Sequence, residues 1–232
     1  MSSSTKKVHQ IADILFAGAD ILDYAGPIEM LSHMMYNHDI SAPEWAFKVH
    51  LIASTPTVFT GGVMTVSAGV TFEEATERVE DFDILAVPGG MLHLLAGMAK
   101  NGSPEVEFIK AFKHAAQWQR EESDERIILS VCTGALLVAA TGALKGLKAT
   151  TRHTALEMLK RIDGSIDIVS SVGDGGVGRY VDGGRNEKGV RLITAGGVTC
   201  GLDAGLYVAE LKAGREAAEF GARMNEYEWK RA

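Results

Sequence analysis

The chain has 232 residues, a net charge of −7 and two cysteines, Cys132 and Cys200. That length can bury a sizeable core, and an acidic balance with no basic run argues against nucleic acid as a partner. Two cysteines cannot build a disulfide framework, no run approaches the ~20 apolar residues of a membrane helix, and the polar residues 1–10 lack the apolar stretch of a secretory signal. A cytoplasmic, reducing setting with no membrane partner is therefore expected.

Residues 1–7 read as a disordered tail ahead of one domain over 8–232. Residues 8–16 are predicted as the first strand, flawed by Asp13 in its middle. A turn at 17–20 leads to Asp23 and then to a helix whose first turn would hold Pro27. Ile28, Met30, Leu31, Met34 and Met35 form its apolar face. The methionines read as core filling or as an adaptable contact surface.

Residues 45–53 alternate as a second strand, and 58–66 suit a short antiparallel pair around Gly61 and Gly62. A short polar helix follows at 72–79. The third core strand, 82–87, ends at Pro88-Gly89-Gly90. Helices are predicted over 91–98 and 104–122, and the charged run 120–126 reads as a solvated connection.

Residues 126–131 are a short, mostly apolar run of the kind that forms a strand covered on both faces. An alanine-rich helix over 133–143 follows almost at once, so Cys132 alone makes the turn. Such a residue is held in a tight, strained backbone with its side chain exposed above the sheet edge. The helix amides and dipole there would make the thiol easier to ionise than an ordinary cysteine. The competing reading is a buried structural cysteine. Gly134 would let backbone or ligand come close.

Beyond this turn, 148–151 and 166–169 read as short strands and 154–161 as a helix. The glycine-dense 173–178 suits a flexible hairpin better than a phosphate cradle, because no lysine follows and no helix opens there. Residues 179–182 and 190–194 pair as strands, 201–214 form a helix, and a further helix runs to Trp229. Strands alternating with helices define an α/β fold with a mostly parallel sheet and helices on both faces. Ligands in such sheets bind outside the carboxyl ends of the strands, where Asp23, Gly89, Gly90 and Cys132 fall.

Four stretches together resemble the ThiJ/PfpI superfamily. They are Ser130-Val131-Cys132-Thr133-Gly134-Ala135 as the nucleophile turn, Leu22-Asp23-Tyr24-Ala25-Gly26-Pro27 as the acidic loop of its isonitrile hydratase branch, Val87-Pro88-Gly89-Gly90 as the glycine turn, and Ala195-Gly196-Gly197 with Gly201-Leu202-Asp203-Ala204-Gly205 as the last strand and helix. They span roughly residues 8–215. The resemblance implies a flavodoxin-like three-layer sandwich related to the class I glutamine amidotransferases, and usually a homodimer.

It also implies Cys132 as nucleophile and Asp23 as the group that handles the proton. A carboxyl beside a thiolate has a raised pKa and, when neutral, donates to sulfur; the plainer alternative is a helix cap. Cys132 would attack the terminal carbon of an isonitrile as Asp23 delivers a proton, and water activated by the same carboxylate would release an N-substituted formamide. The amides of Gly90 and Thr133 would steady developing charge and the Thr133 hydroxyl would hold water or substrate, with Gly89 and Gly26 lining the site. Many relatives carry histidine where this chain has Arg152, with His153 next. Arg152 would bind an anionic group or pair with a neighbouring acid, and His153 would be a substrate contact or a surface residue. Asp203 reads as structural and Cys200 as a small buried hydrophobe. Neither cofactor nor metal is expected, because the histidines are scattered. Two other functions remain open: a cofactor-free glyoxalase acting on methylglyoxal, from which Asp23 in place of glutamate departs, and a non-catalytic redox sensor oxidised at Cys132. Family members that regulate transcription add a basic helix-turn-helix region, which is not expected in a chain of this length.

Overall fold

The computed structural model describes residues 6–115, 125–170 and 178–231. The end of the helix predicted over 104–122, most of the charged run and the glycine-dense 173–177 lie outside the described residues, as do residues 1–5 of the tail.

The strands of the main sheet are β1 (His9–Ile14), β2 (Phe47–Ala53), β5 (Val70–Thr71), β6 (Ile84–Val87), β7 (Ile127–Val131), β10 (Tyr180–Arg185) and β11 (Arg191–Ala195). They lie in the order β10-β11-β7-β6-β1-β2-β5, parallel throughout except for the antiparallel β10–β11 edge. The predicted pair around Gly61 and Gly62 forms as a separate hairpin of β3 (Thr57–Thr60) and β4 (Met64–Ser67). A second small parallel pair joins β8 (Lys148–Ala149) to β9 (Asp167–Ile168).

Two apolar layers cover the sheet. One face packs on α1 (Ile21–Ser32), α7 (Cys200–Ala213) and α8 (Arg215–Met224). The other packs on α2 (Phe72–Glu77), α3 (Leu92–Asn101), α4 (Pro104–Ala115), α5 (Ala135–Ala140) and α6 (Leu156–Ile162). The central strands alternate between these layers: Ile127, Leu129 and Val131 face α1 and α7, whereas Ile128 faces the other side. This is the expected α/β, flavodoxin-like sandwich.

Several local expectations change. Helix α1 starts at Ile21, so Pro27 sits inside it rather than in the first turn. Proline has no N–H, so the Asp23 carbonyl lacks its i+4 donor. The ring instead packs on α7, where Cβ atoms built at Gly201 and Gly205 would each lie 3.1 Å from Pro27. Met30, Met34 and Met35 are buried, which settles the methionine cluster as core filling and removes it as a contact surface. The helix predicted over 133–143 is shorter: a 3-10 turn, Cys132–Gly134, leads into α5. Arg126, read as part of a solvated run, is buried. Its guanidinium stacks 3.8 Å from the Phe112 ring centre and donates to the carbonyls of Phe82, Phe112 and Val79. A planar fork of donors can satisfy three helix-end and loop carbonyls at once, which suits a guanidinium to this buried place.

Asp13, the flaw in the first strand, is wholly buried in β1, and neither carboxylate oxygen has a hydrogen-bond partner among the described residues. Burial pushes its pKa well above the usual carboxylate range, so it sits in the core as a neutral acid.

Candidate active site

The carboxyl ends of β1, β6 and β7 meet at one point above the sheet. Cys132 follows β7 with φ of 56°, a left-handed backbone that is strained for any residue but glycine. Three contacts hold it there. Its amide donates to the Gly196 carbonyl at 2.9 Å. Its carbonyl accepts the Thr151 hydroxyl at 2.6 Å. Gly134 lets the turn press on the next loop, because a Cβ there would lie 2.3 Å from the Val87 carbonyl oxygen.

The loop after β6 closes over this turn. The Thr133 hydroxyl donates to the Gly90 carbonyl at 2.8 Å, and the Gly90 amide approaches the same hydroxyl oxygen at 2.9 Å. Thr133 therefore clasps two loops together, and its single hydroxyl proton is committed to the Gly90 carbonyl. The Gly90 amide is likewise engaged and is not an anion donor. The Thr133 amide faces the sulfur and helps stabilise its ionised form. At Gly89 a Cβ would fall 2.6 Å from Thr133 Oγ1 and 2.8 Å from Asp23 Oδ2, so only glycine admits both neighbours.

Asp23 lies in the first turn of α1 and is 1% exposed, so it is a buried group and not a solvent-facing cap. Gly89 donates its amide to Oδ2 at 3.1 Å. Oδ1 has no hydrogen-bond partner among the described residues. The side-chain ligand atoms of Asp20, Asp23 and Cys132 all fall within 4.8 Å of one another. Burial raises the Asp23 pKa to about 7, helped by the charge of Asp20 and opposed by the Cys132 thiol, the Gly89 amide and Arg152.

The thiol differs from the expectation of an exposed, easily ionised side chain. Cys132 is completely buried, and burial together with the charge of Asp23 pushes it up to about 12. The Thr133 amide and Arg152 pull the other way and lose. The reason is the balance of magnitudes: full desolvation of a thiolate shifts a pKa by several units, and a short 3-10 turn offers few aligned dipoles against it. Between about pH 7 and pH 12 the pair therefore holds one proton.

The remaining expected residues divide. Arg152 is exposed, yet close enough for its charge to favour the ionised forms of both Asp23 and Cys132. Thr151, bonded to the Cys132 carbonyl, fixes that position. His153 is exposed at the start of a 3-10 turn, His153–Ala155. Gly26 is a packing residue: a Cβ there would lie 3.2 Å from Leu202 of α7. Asp203 is structural, binding Arg179, Tyr227 at 3.0 Å and the Lys230 amide at 2.8 Å. Cys200 is buried, and burial raises its thiol pKa.

Two residues were missed. Asp20 is visible only as the i−3 neighbour of Asp23, a spacing that puts both on one face once the helix start is known. Thr151 carries no motif signal. The set Asp20, Asp23 and Cys132 supplies two hard oxygens and one soft sulfur, where scattered ligands were expected. With the thiol at about 12 and Asp23 at about 7, a cation there would have to displace bound protons.

A buried cysteine on a strained strand–helix turn, facing a carboxyl with its proton near neutrality, defines a cysteine-elbow α/β protein. The sequence profile of the DJ-1/PfpI family matches residues 9–200, and the chain belongs to that family. It is similar to the isonitrile hydratase of Pseudomonas putida, 28% identical over 219 residues that cover 94% of this chain and 78% of that one. Among solved structures, a ThiJ/PfpI family protein from Pseudomonas syringae superposes with a TM-score of 0.68 at 25% identity, over 97% of this chain and 78% of the other. Drosophila melanogaster DJ-1beta gives 0.67 at 17% identity, over 96% and 100%, a likeness of fold.

Proposed function

We propose that this protein is a cofactor-free, cysteine-dependent hydratase of the isonitrile hydratase type. The observation that carries the reading is the placement of the Cys132 sulfur, on its left-handed turn, within 4.8 Å of a carboxylate oxygen of the buried Asp23; burial raises the proton affinity of both groups, so the pair holds one proton between about pH 7 and pH 12. Addition of a thiol to an isonitrile places sulfur and hydrogen on the same carbon, so one shared proton is what the first step needs. Asp23 takes the proton from Cys132 and delivers it to the terminal carbon as sulfur attacks, giving Cys132–S–CH=N–R with no proton gained or lost. Water then adds to that carbon, the C–S bond breaks, and the N-substituted formamide leaves as the thiol is restored. The Thr133 amide faces the sulfur through these changes of charge.

The similarity to the Pseudomonas putida enzyme supports the substrate class. The short Asp23 in place of glutamate weighs against the glyoxalase. The working form we propose is a cytoplasmic homodimer. Exposed Phe59, Val63 and Met64 on the β3–β4 hairpin are apolar surface of the kind a partner covers. Light scattering that finds a monomer at high micromolar concentration overturns the dimer. Purified protein offered phenyl isonitrile and methylglyoxal in parallel tests the chemistry: formation of N-phenylformamide supports the hydratase, and turnover of methylglyoxal alone overturns it.

A further inference from the structure

We propose that Asp20 is a second catalytic carboxylate, the general base that activates water in hydrolysis of the Cys132 adduct. The inference rests on the hydratase reading above. A carboxylate oxygen of Asp20 lies within 4.8 Å of both the Asp23 carboxyl and the Cys132 sulfur. Asp20 occupies the N-cap position of α1, yet its side chain makes no capping hydrogen bond, the usual work of an aspartate there. It is half-buried, whereas Asp23 behind it is 1% exposed. A water molecule entering from solvent therefore meets Asp20 first. The second, independent sign of a ligand is Asp23 Oδ1, a buried oxygen with no hydrogen-bond partner among the described residues.

The division of labour follows from the two environments. The charge of Asp20 helps hold a proton on Asp23, which suits Asp23 to the thiol's proton in the first step. In the second step Asp20 removes a proton from water as the water oxygen bonds to the thioimidate carbon and the C=N electron pair moves to nitrogen. The same proton is then placed on that nitrogen. When the C–S bond breaks, the hydroxyl proton passes through Asp23 to sulfur. The sum is one isonitrile and one water consumed, one formamide released and the thiol regenerated. Neither carboxylate ends a turnover with an altered charge. Two carboxylates in unlike surroundings, one buried and one open to water, are a common way for a site to separate acid from base work.

The experiment is a single turnover of phenyl isonitrile followed by intact-protein mass, with Asp20→Asn, Asp20→Glu and the parent. In Asp20→Asn the Cys132 adduct, heavier by one isonitrile, forms and then accumulates, because its hydrolysis slows by ~100-fold, the usual scale of a lost general base. Asp20→Glu regains part of the hydrolysis rate. Adduct formation in Asp20→Asn also keeps its ionisation limb but moves it to lower pH, since the charge that raises Asp23 is gone. A residue with a purely structural role would not produce that accumulation and shift together. An Asp20→Asn protein that clears the adduct at the parent rate overturns the assignment and leaves the hydratase standing. An Asp20→Asn protein that forms no adduct while the parent does also overturns it, by placing Asp20 in the first step. A parent protein that forms no adduct overturns both readings.

Discussion

Gly89 donates its amide to Oδ2 of Asp23 at 3.1 Å, while Oδ1 of the same carboxyl has no hydrogen-bond partner among the described residues. One oxygen is anchored by the glycine turn and the other is left without such an anchor, so the carboxyl is positioned without being neutralised by an ion pair. Its proton affinity near neutrality comes from burial and the charge of Asp20, which together outweigh the Gly89 amide, the Cys132 thiol and Arg152.

Cys132→Ala is expected to abolish hydration while the protein still folds, since the loss of one buried sulfur costs about 1 kcal/mol or little more. Cys200→Ala should keep nearly all activity. Formamide production and a thermal melt of each variant check this, and an active Cys132→Ala protein would sink the site assignment.

Asp23→Asn should lose at least ~100-fold in hydration, about 2.7 kcal/mol of transition-state stabilisation, because an amide neither gives nor takes the proton. Asp23→Glu should retain a measurable fraction. Steady-state rates decide it: an asparagine variant at the parent rate removes Asp23 from the mechanism.

The active pair holds one proton, so activity rises with pH through about 7, as the second proton leaves Asp23, and reaches a plateau below about 12. Arg152 pulls the Asp23 pKa down, so Arg152→Gln should move the rising limb to higher pH. A pH–rate profile in which that limb stays in place, or moves to lower pH, contradicts the proposed electrostatics.

Gly134→Ala places a Cβ 2.3 Å from the Val87 carbonyl oxygen. Backbone on both sides cannot yield cheaply, so we expect destabilisation of about 1–3 kcal/mol, the range for overpacking, along with loss of activity as the turn moves. Calorimetry of the variant measures it, and an unchanged melting temperature refutes it.

Asp13 is neutral in the fold because burial raises its pKa well above that of the unfolded chain. Its stabilising balance is complete below the unfolded value, about 3.9, and is lost as pH rises towards the folded value. Asp13→Val should therefore stabilise the protein at neutral pH, by about 1–3 kcal/mol, and flatten the decline on the alkaline side. Melting curves across pH test both parts, and an Asp13→Val protein that melts earlier than the parent at neutral pH would argue for a partner to the carboxyl.

The linear sequence by itself determined the architecture, and it singled out Cys132 and Asp23 as the candidate pair. Apolar strands such as 127–131 and 84–87 announce a sheet covered on both faces, and a cysteine wedged between strand and helix can only sit at that sheet's edge. Those features depend on neighbours in the chain. Burial and charge depend on what the fold brings from elsewhere, and these only the tertiary structure decided. It turned the expected easily ionised thiol into one held at about 12, because desolvation outweighed the amides of a short turn. It engaged the Thr133 hydroxyl and the Gly90 amide with each other, buried Arg126 among carbonyls, and set Gly26 against Leu202 of α7. It also set Asp20 beside Asp23 and Cys132, a meeting that depends on where α1 begins and on how the loop after β6 folds over the elbow.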